Sequence, residues 1–239
     1  FSKDTTLTLK WGEDATDAAA DATGLWSGAV GVYHFAGQEL KNAVNGDAMS
    51  LVGSPVGHET GPLGNAARFD RTGNYSSTAL SDAHYGVVSN QFTISFWIST
   101  DNLKSDDKNY LFYYGKKSEQ FALLLNWYKA GCFAFYTPSP VLVGGASTGI
   151  DTGAMALPDG GWHHVAMTYD GATFTYYVDG FVKYSKATVF SLVTHVDDES
   201  EYYLSIGAEK VGVANAYKGL LDELRFENVC RGADRVRAD

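Results

Sequence analysis

Paired carboxylates are the first chemistry to look for, because glycoside hydrolysis needs two of them roughly 5–10 Å apart across a cleft. Asp222, Glu223 and Glu227 come nearest. In a regular strand Asp222 and Glu223 point to opposite faces, and Glu227 shares the face of Glu223 with no acid between them. A Gly-x-Ser-x-Gly nucleophile elbow is absent from the sequence. His163 and His164 are adjacent, so a regular strand sends them to opposite sides and they do not share one metal; one is expected to pack and the other to be exposed. Cys132 and Cys230 are the only thiols. Zinc asks for about four closely spaced ligands, so they read as two buried thiols or as one disulfide.

Asp222 falls on the alternation of Leu220, Leu224 and Phe226, which reads as the core face. A carboxylate there needs a metal, an arginine such as Arg68, or the N–H groups of a neighbouring turn. Two loops are acidic: Asp101, Asn102, Asp106, Asp107 and Asn109, and then Asp197, Asp198, Glu199 and Glu201. Neither has EF-hand spacing, and a solvated charged loop is the plainer reading of both. Sugar recognition asks for an exposed aromatic ring beside amides or acids. The candidates are Trp127 and Tyr128 beside Asn126, then Tyr136 and Tyr85, with Tyr113 and Tyr217 behind them. Asn74-Tyr75-Ser76 forms an N-glycosylation sequon, a pattern that chance readily produces.

The elements that must position these residues are strands. Phe92–Ser99 alternates Phe92, Ile94, Phe96 and Ile98 against Thr93, Ser95, Trp97 and Ser99. His163–Tyr169 alternates too, and the turns Asp170-Gly171 and Asp179-Gly180 flank a strand at Phe174–Asp179 that predicts hairpins. Further strands are predicted at Thr5–Trp11, Val30–Phe35, Ala67–Phe69, Tyr110–Tyr114, Phe121–Trp127, Cys132–Tyr136, Tyr202–Ile206 and Leu220–Phe226. Helix is predicted only at Asp14–Thr23 and Asp234–Ala238. With 26 Gly and 14% aromatics in 239 residues, the chain reads as an antiparallel sandwich or barrel. One domain is expected over 26–239, with residues 1–25 as a small annex of strand and short helix.

Charge narrows the partners. Eighteen Lys+Arg against 28 Asp+Glu leave a net charge of −10, the wrong sign for a nucleic-acid partner. No apolar run approaches the roughly 20 residues of a membrane-spanning helix, so membrane insertion is not expected. The chain starts at Phe1 and shows no signal peptide, and reads as a segment of a longer protein.

Several segments carry a resemblance. Val30–Phe35 (VGVYHF) is similar to "GYWPF", Ala67–Asp70 to "LRFDG", Phe92–Ile98 to "FTISAWV", and Gly161–Gly171 (GWHHVAMTYDG) to "WHHVAVTYDG". Tyr177–Gly180, Ser205–Gly207 and Gly219–Phe226 are similar to "LYVDG", "LYIG" and "GLIDEVRIY". In this order they resemble laminin-G-like, concanavalin A-like lectin/glucanase domains of bacterial surface proteins. The resemblance implies an all-β, antiparallel two-sheet β-sandwich of the jelly-roll type. One departure is Arg71, where the pattern has glycine after Asp70. Glucanases of this fold carry Glu-x-Asp-x-x-Glu, which is missing, so a glycoside hydrolase is the minority expectation. The resemblance makes calcium a candidate cofactor, with Asp222, Asp70, Asp106 and Glu209 as its ligands. It implies a non-catalytic module of a secreted or cell-surface protein, with a glycan or a surface protein as ligand and other domains of a larger chain as partners. A structural or adhesive spacer is the alternative.

Overall fold

The computed structural model describes residues 27–37, 39–54, 56–78, 91–104, 107, 109–116, 119–126, 129–136, 142–143, 155–188, 203–209 and 215–238. The strands predicted at Thr5–Trp11 and the helix at Asp14–Thr23 lie outside them. The strands are β1 (Ala29–Tyr33), β2 (Leu40–Lys41), β3 (Ala48–Gly53), β4 (Gly57–Gly61), β5 (Gly64–Asp70), β6 (Gly73–Thr78), β7 (Phe92–Ser99) and β8 (Asn109–Lys116). They continue as β9 (Glu119–Leu125), β10 (Phe133–Tyr136), β11 (Leu142–Val143), β12 (His163–Tyr169), β13 (Thr173–Val178), β14 (Phe181–Ala187), β15 (Tyr203–Ile206) and β16 (Lys218–Glu227). A short helix, Ala233–Ala238, follows.

Two eight-stranded antiparallel sheets face each other. The first runs β14-β13-β12-β7-β16-β5-β4, with β1 added along the second half of β16. The second runs β11-β10-β9-β8-β15-β6-β3-β2. The last strand of the chain thus threads between β7 and β5, so the C-terminal segment completes the first sheet's centre.

Period-two alternation sends one face of each strand into a shared aromatic core. Phe92 meets Phe135 at 5.7 Å between centroids, Phe96 meets Phe133 at 6.0 Å, and Phe112 meets Phe226 edge-on at 4.9 Å. Each pair joins the two sheets, and edge-to-face geometry suits the rings' quadrupoles. The helix covers part of the first sheet's outer face, where Val236 packs with Ala166 and Tyr177. That cover, with the core beneath, explains why all seven residues of β12 are buried. Both histidines of β12 are therefore buried, against the expectation that one is exposed. His163 bridges Asp179 (2.9 Å) and Asp159 (3.2 Å), while His164 lies 5.3 Å from the ring of Trp97.

Three edge or polar strands, β3, β4 and β6, carry too little alternation to read from sequence. No disulfide joins Cys132, buried ahead of β10, to Cys230, which follows β16.

Candidate functional site

Register brings strand ends from both sheets to one rim. Lys218 opens β16 opposite Asp70, Leu220 lies opposite Ser99, and His163 opens β12 opposite Ile98. In the second sheet Asn109 opens β8 opposite Leu125, and β15 ends at Ile206 opposite Phe112. The acidic loop after β7 therefore meets the turns that follow β5 and β9.

Arg71 organises this rim. It stands where the family pattern has glycine, and its φ of 76° is the glycine-favouring one. Its guanidinium donates to Asp107 at 2.5 Å and to Asn109 Oδ1 at 3.3 Å. Asn102 Nδ2 donates to the same Asn109 oxygen at 3.1 Å, and Asn109 Nδ2 donates to the Asp107 carbonyl. Asn126, at φ 67°, donates to the Asn102 carbonyl at 2.6 Å and accepts the Gly131 N–H at 2.7 Å. The Arg71 hydrogen bond holds the Asp107 carboxyl below the usual carboxylate range. Asn126, Asn102 and Asn109 are buried and shape the loop. Asn126 is thus a loop-setting residue with both ends of its amide engaged, and not an exposed neighbour of a sugar platform.

Arg71 sets strain against an ion pair, which yields a test. Arg71→Ala keeps the φ and loses both bonds, so it is expected to cost about 1–2 kcal/mol. Arg71→Gly loses the bonds but relieves the backbone, so its midpoint is expected within about 1 kcal/mol of the parent. Equal losses for both, measured by denaturant unfolding, would mean that the backbone at Arg71 is unstrained.

A second cluster sits on the outer face of the first sheet. β16 is bulged against β7 between Asp222 and Arg225, and Glu223 takes φ 52°. The bulge corrects the face expected for Asp222. Leu221, Leu224 and Phe226 join the core, whereas Asp222 lies opposite Trp97 on the outer face. Glu223 meets His34 at 2.6 Å and accepts from Arg225 at 3.0 Å. Asp222 is fully buried, and Oδ2 accepts the Leu63 N–H at 3.2 Å from the β4–β5 turn. Its Oδ1 has no partner. Compensation by a turn, and not by Arg68, is what occurs: Arg68 pairs with Glu59 at 2.5 Å.

These groups titrate with opposed signs. Burial raises the Asp222 carboxyl above its ordinary 3.8. The hydrogen bond to Glu223 raises His34 above its ordinary 6.5. Burial pushes Glu223 up, but hydrogen bonds from His34 and Arg225 outweigh it and leave the carboxyl below 4.5. A raised folded pKa gives stability that is full below the unfolded value and lost as pH rises through the folded one. Asp222 therefore costs stability as pH rises from about 4, and His34 does so as pH rises from about 6.5. Glu223 acts the other way, losing its contribution as pH falls through its lowered value. Unfolding midpoints of Asp222→Asn and His34→Gln should each lose one of the two declines; parallel profiles for both variants and the parent would contradict the assignment.

Two of the calcium candidates, Asp222 and Asp70, are not brought together. Asp222 lies four residues along β16 from Lys218, the residue opposite Asp70, which is roughly 13 Å of strand. Asp70 Oδ1 already accepts the Thr72 N–H at 3.0 Å and its hydroxyl at 2.5 Å, which holds its carboxyl below 3.8. Glu209 accepts from Asn215 at 2.5 Å. Among the described residues no group of three or more His, Cys, Asp or Glu side chains is placed to hold a metal ion. Asp106, Trp127, Tyr128 and Tyr85 lie outside the described residues, as does the loop 197–201, and Tyr136 is placed only as a residue of β10 opposite Ala122. Tyr217 is buried in the core and Tyr113 is buried on the second sheet's outer face.

Comparison with known proteins follows from this geometry. The family model of the concanavalin A-like lectin/glucanases superfamily matches residues 70–237. The chain belongs to that superfamily. A search of curated proteins finds no match. Among solved structures, the chain is similar to domain 4 of AbnA, a GH43 extracellular arabinanase from Geobacillus stearothermophilus, in complex with arabinotriose. That likeness has a TM-score of 0.65 at 19% identity, over 88% of this chain and 97% of that one. The binding domain of Paraclostridial Mosquitocidal Protein 1 gives a TM-score of 0.61 at 16% identity, over 90% of this chain and 52% of that one. The binding domain of botulinum neurotoxin DC in complex with rat synaptotagmin II gives 0.63 at 12% identity, over 88% and 50%. The chain spans about half the length of these toxin binding domains. At such identities the likeness establishes the sandwich fold and nothing finer.

Sequence reasoning missed the Trp97–His164 ring contact as an outer-face feature, although the alternation of Phe92–Ser99 already put Trp97 opposite the core. It also read Asn74 only as a sequon. Asn74 is fully buried and its Nδ2 donates to Ser205 Oγ at 2.8 Å, so the folded chain offers no acceptor for a glycan there.

Proposed function

We propose that the chain is a non-catalytic recognition module of a secreted or cell-surface protein, and that its ligand is carbohydrate. The observation that carries this reading is the domain-to-domain likeness to a structure holding arabinotriose, in which 97% of that chain is matched. The way the described carboxylates are spent supports the absence of turnover. Glu59 pairs with Arg68, Asp107 with Arg71, Glu223 with His34 and Arg225, and Glu227 with Arg231. Asp222 is shut away from any groove. An acid–base pair needs two carboxyls facing a substrate, and these face cations or the interior.

A protein ligand is the second reading, and one feature favours it. β14 closes the first sheet with an exposed edge, where Phe181 is 62% and Val182 54% exposed. The complex of the botulinum neurotoxin DC binding domain with rat synaptotagmin II is in keeping with it.

A glycan array probed with the intact chain, with and without EDTA, tests the proposal. Binding to one class of oligosaccharide is expected. No binding to any glycan would overturn it, and binding lost in EDTA would restore calcium through residues other than the described carboxylates.

A further inference from the structure

Among the described strands, β14 is the long open edge of the sandwich. The first sheet ends at β14 and β4, and the second at β11 and β2. β2 and β11 have two residues each, and on β4 Glu59 is paired with Arg68 at 2.5 Å. β1, beside the second half of β16, is buried or half-buried throughout. β14 has seven residues, and all are exposed except Tyr184, which is half-buried against the core. Its described strand neighbour is β13, so one row of its N–H and C=O groups faces outward. Native edges are blunted by shortness, charge or cover. Here Phe181 and Val182 stand together at the edge, 62% and 54% exposed.

Charge at this edge runs against the rest of the chain. β14 carries Lys183 and Lys186 and no acid, in a chain of net charge −10. A bulge gives β14 one extra residue, Lys183, between Val182 opposite Tyr177 and Tyr184 opposite Tyr176. Phe181 lies opposite Val178 and Lys186 opposite Phe174, and both partners are core residues, so Phe181 and Lys186 share the inward side of the edge. Lys183 Nζ lies 6.0 Å from the centre of the Phe181 ring. The helix Ala233–Ala238 adds Arg237 beside them: a Cβ on Gly180, in the β13–β14 turn, would lie 2.9 Å from its Cγ. The nearby acids are engaged. Asp179 meets His163 at 2.9 Å, Asp170 accepts the Ala172 and Thr173 N–H groups, and Asp234 accepts from Arg237 at 3.4 Å. A second copy paired along β14 would bring four lysines onto one seam, and like charges across strands repel. The complementary occupant is acidic.

We infer that β14 takes on, as the next strand of the first sheet, an extended segment of a partner protein that carries carboxylates beside apolar side chains. This rests on the protein-ligand reading above, to which it gives a place and a partner charge, and it is independent of the carbohydrate reading. Main-chain hydrogen bonds along the open edge supply affinity, and side chains on alternate positions supply selectivity. Lys183 and Lys186 meet the partner's carboxylates, and Phe181 and Val182 meet its apolar side chains.

The test measures fluorescence anisotropy of a labelled, capped peptide of alternating Val and Glu on titration with the intact chain. Its controls are the same peptide N-methylated at alternate residues, a peptide with Lys in place of Glu, and heparin. The Val-Glu peptide is expected to bind and the controls are not. The double variant Lys183→Glu/Lys186→Glu should weaken binding about tenfold or more, with the unfolding midpoint and the glycan-array profile unchanged. Phe181→Ser should weaken it with both lysines in place. Equal binding of the N-methylated peptide would overturn strand addition, and equal binding by the double variant would overturn the placement on β14. Binding of heparin with the peptides ignored would make the ligand an anionic polysaccharide and overturn the proposal. Sedimentation showing a dimer that the double variant abolishes would make the occupant a second copy and overturn it too. Binding of the Lys peptide alone would overturn the acidic partner and keep the protein reading. Silence toward every peptide would end both, while the array decides the carbohydrate reading separately.

Discussion

Gly207→Ala is expected to cost about 3–4 kcal/mol. Gly207 sits at φ 93°, immediately after β15, and a Cβ there would lie 2.3 Å from Cε1 of Phe69. Two penalties add. A non-glycine residue in the left-handed region costs about 1–2 kcal/mol, and overpacking a closed core costs about 1–3 kcal/mol. Phe69 has nowhere to retreat, because it meets Tyr75 edge-on at 6.3 Å, Phe35 edge-on at 6.4 Å and Tyr217 at 5.9 Å. The damage reaches the rim, since the Gly207 N–H donates to Leu111 and its carbonyl accepts from Tyr217, both at 2.8 Å. Gly46 is the control: its φ is 81° but its Cβ position is open. Gly46→Ala should cost only the backbone share, about 1 kcal/mol. At roughly 2–4 °C per kcal/mol for a chain of this size, the two midpoints should part by about 5–10 °C. Coincident midpoints would show that Phe69 is not held.

Glu223→Ala is expected to cost about 2–4 kcal/mol. The carboxylate bridges His34 and Arg225 with side-chain exposures of 9% for Glu223 and 19% for Arg225, so its removal leaves a largely desolvated guanidinium with one fewer anion. Breaking a buried pair from one side usually costs about 3–5 kcal/mol, and the 41% exposure of His34 pulls the figure down. Glu223→Gln keeps the shape and loses the charge, so it should fall between Ala and the parent. Glu223→Gly should recover part of the Ala loss by relieving φ 52°. Chemical denaturation that placed Ala within 0.5 kcal/mol of the parent, on the order of ordinary surface changes, would make the bridge a surface ornament.

Much of this fold was legible because period-two alternation is a strong signal where one face meets a core. β7, β12 and β16 show it, and the Asp-Gly turns marked the hairpins. Asp222 shows where that signal ends. A bulge shifts every later residue to the other face, and no residue type in Leu220–Phe226 announces it; only the pairing against β7 does. The rim was legible as composition, since the acidic loop and Asn126 stood out, but which amides would be consumed by one another depended on the register of five strands. Arg71 was legible as an exception to the family pattern, and its φ shows that the turn kept its glycine geometry. The burial of Asn74 and Ser76 on β6 was not legible, because polar residues on a short strand look like ordinary solvent-facing residues until their neighbours are known.

The superfamily includes both lectins and glucanases, so recognition without turnover is the central claim. Its most direct measurement is mass spectrometry of an oligosaccharide bound on the array, after prolonged incubation with the chain in solution. The account requires the oligosaccharide to be recovered at its original mass while binding persists; release of shorter products in proportion to protein concentration would make the chain a glycosidase and contradict it.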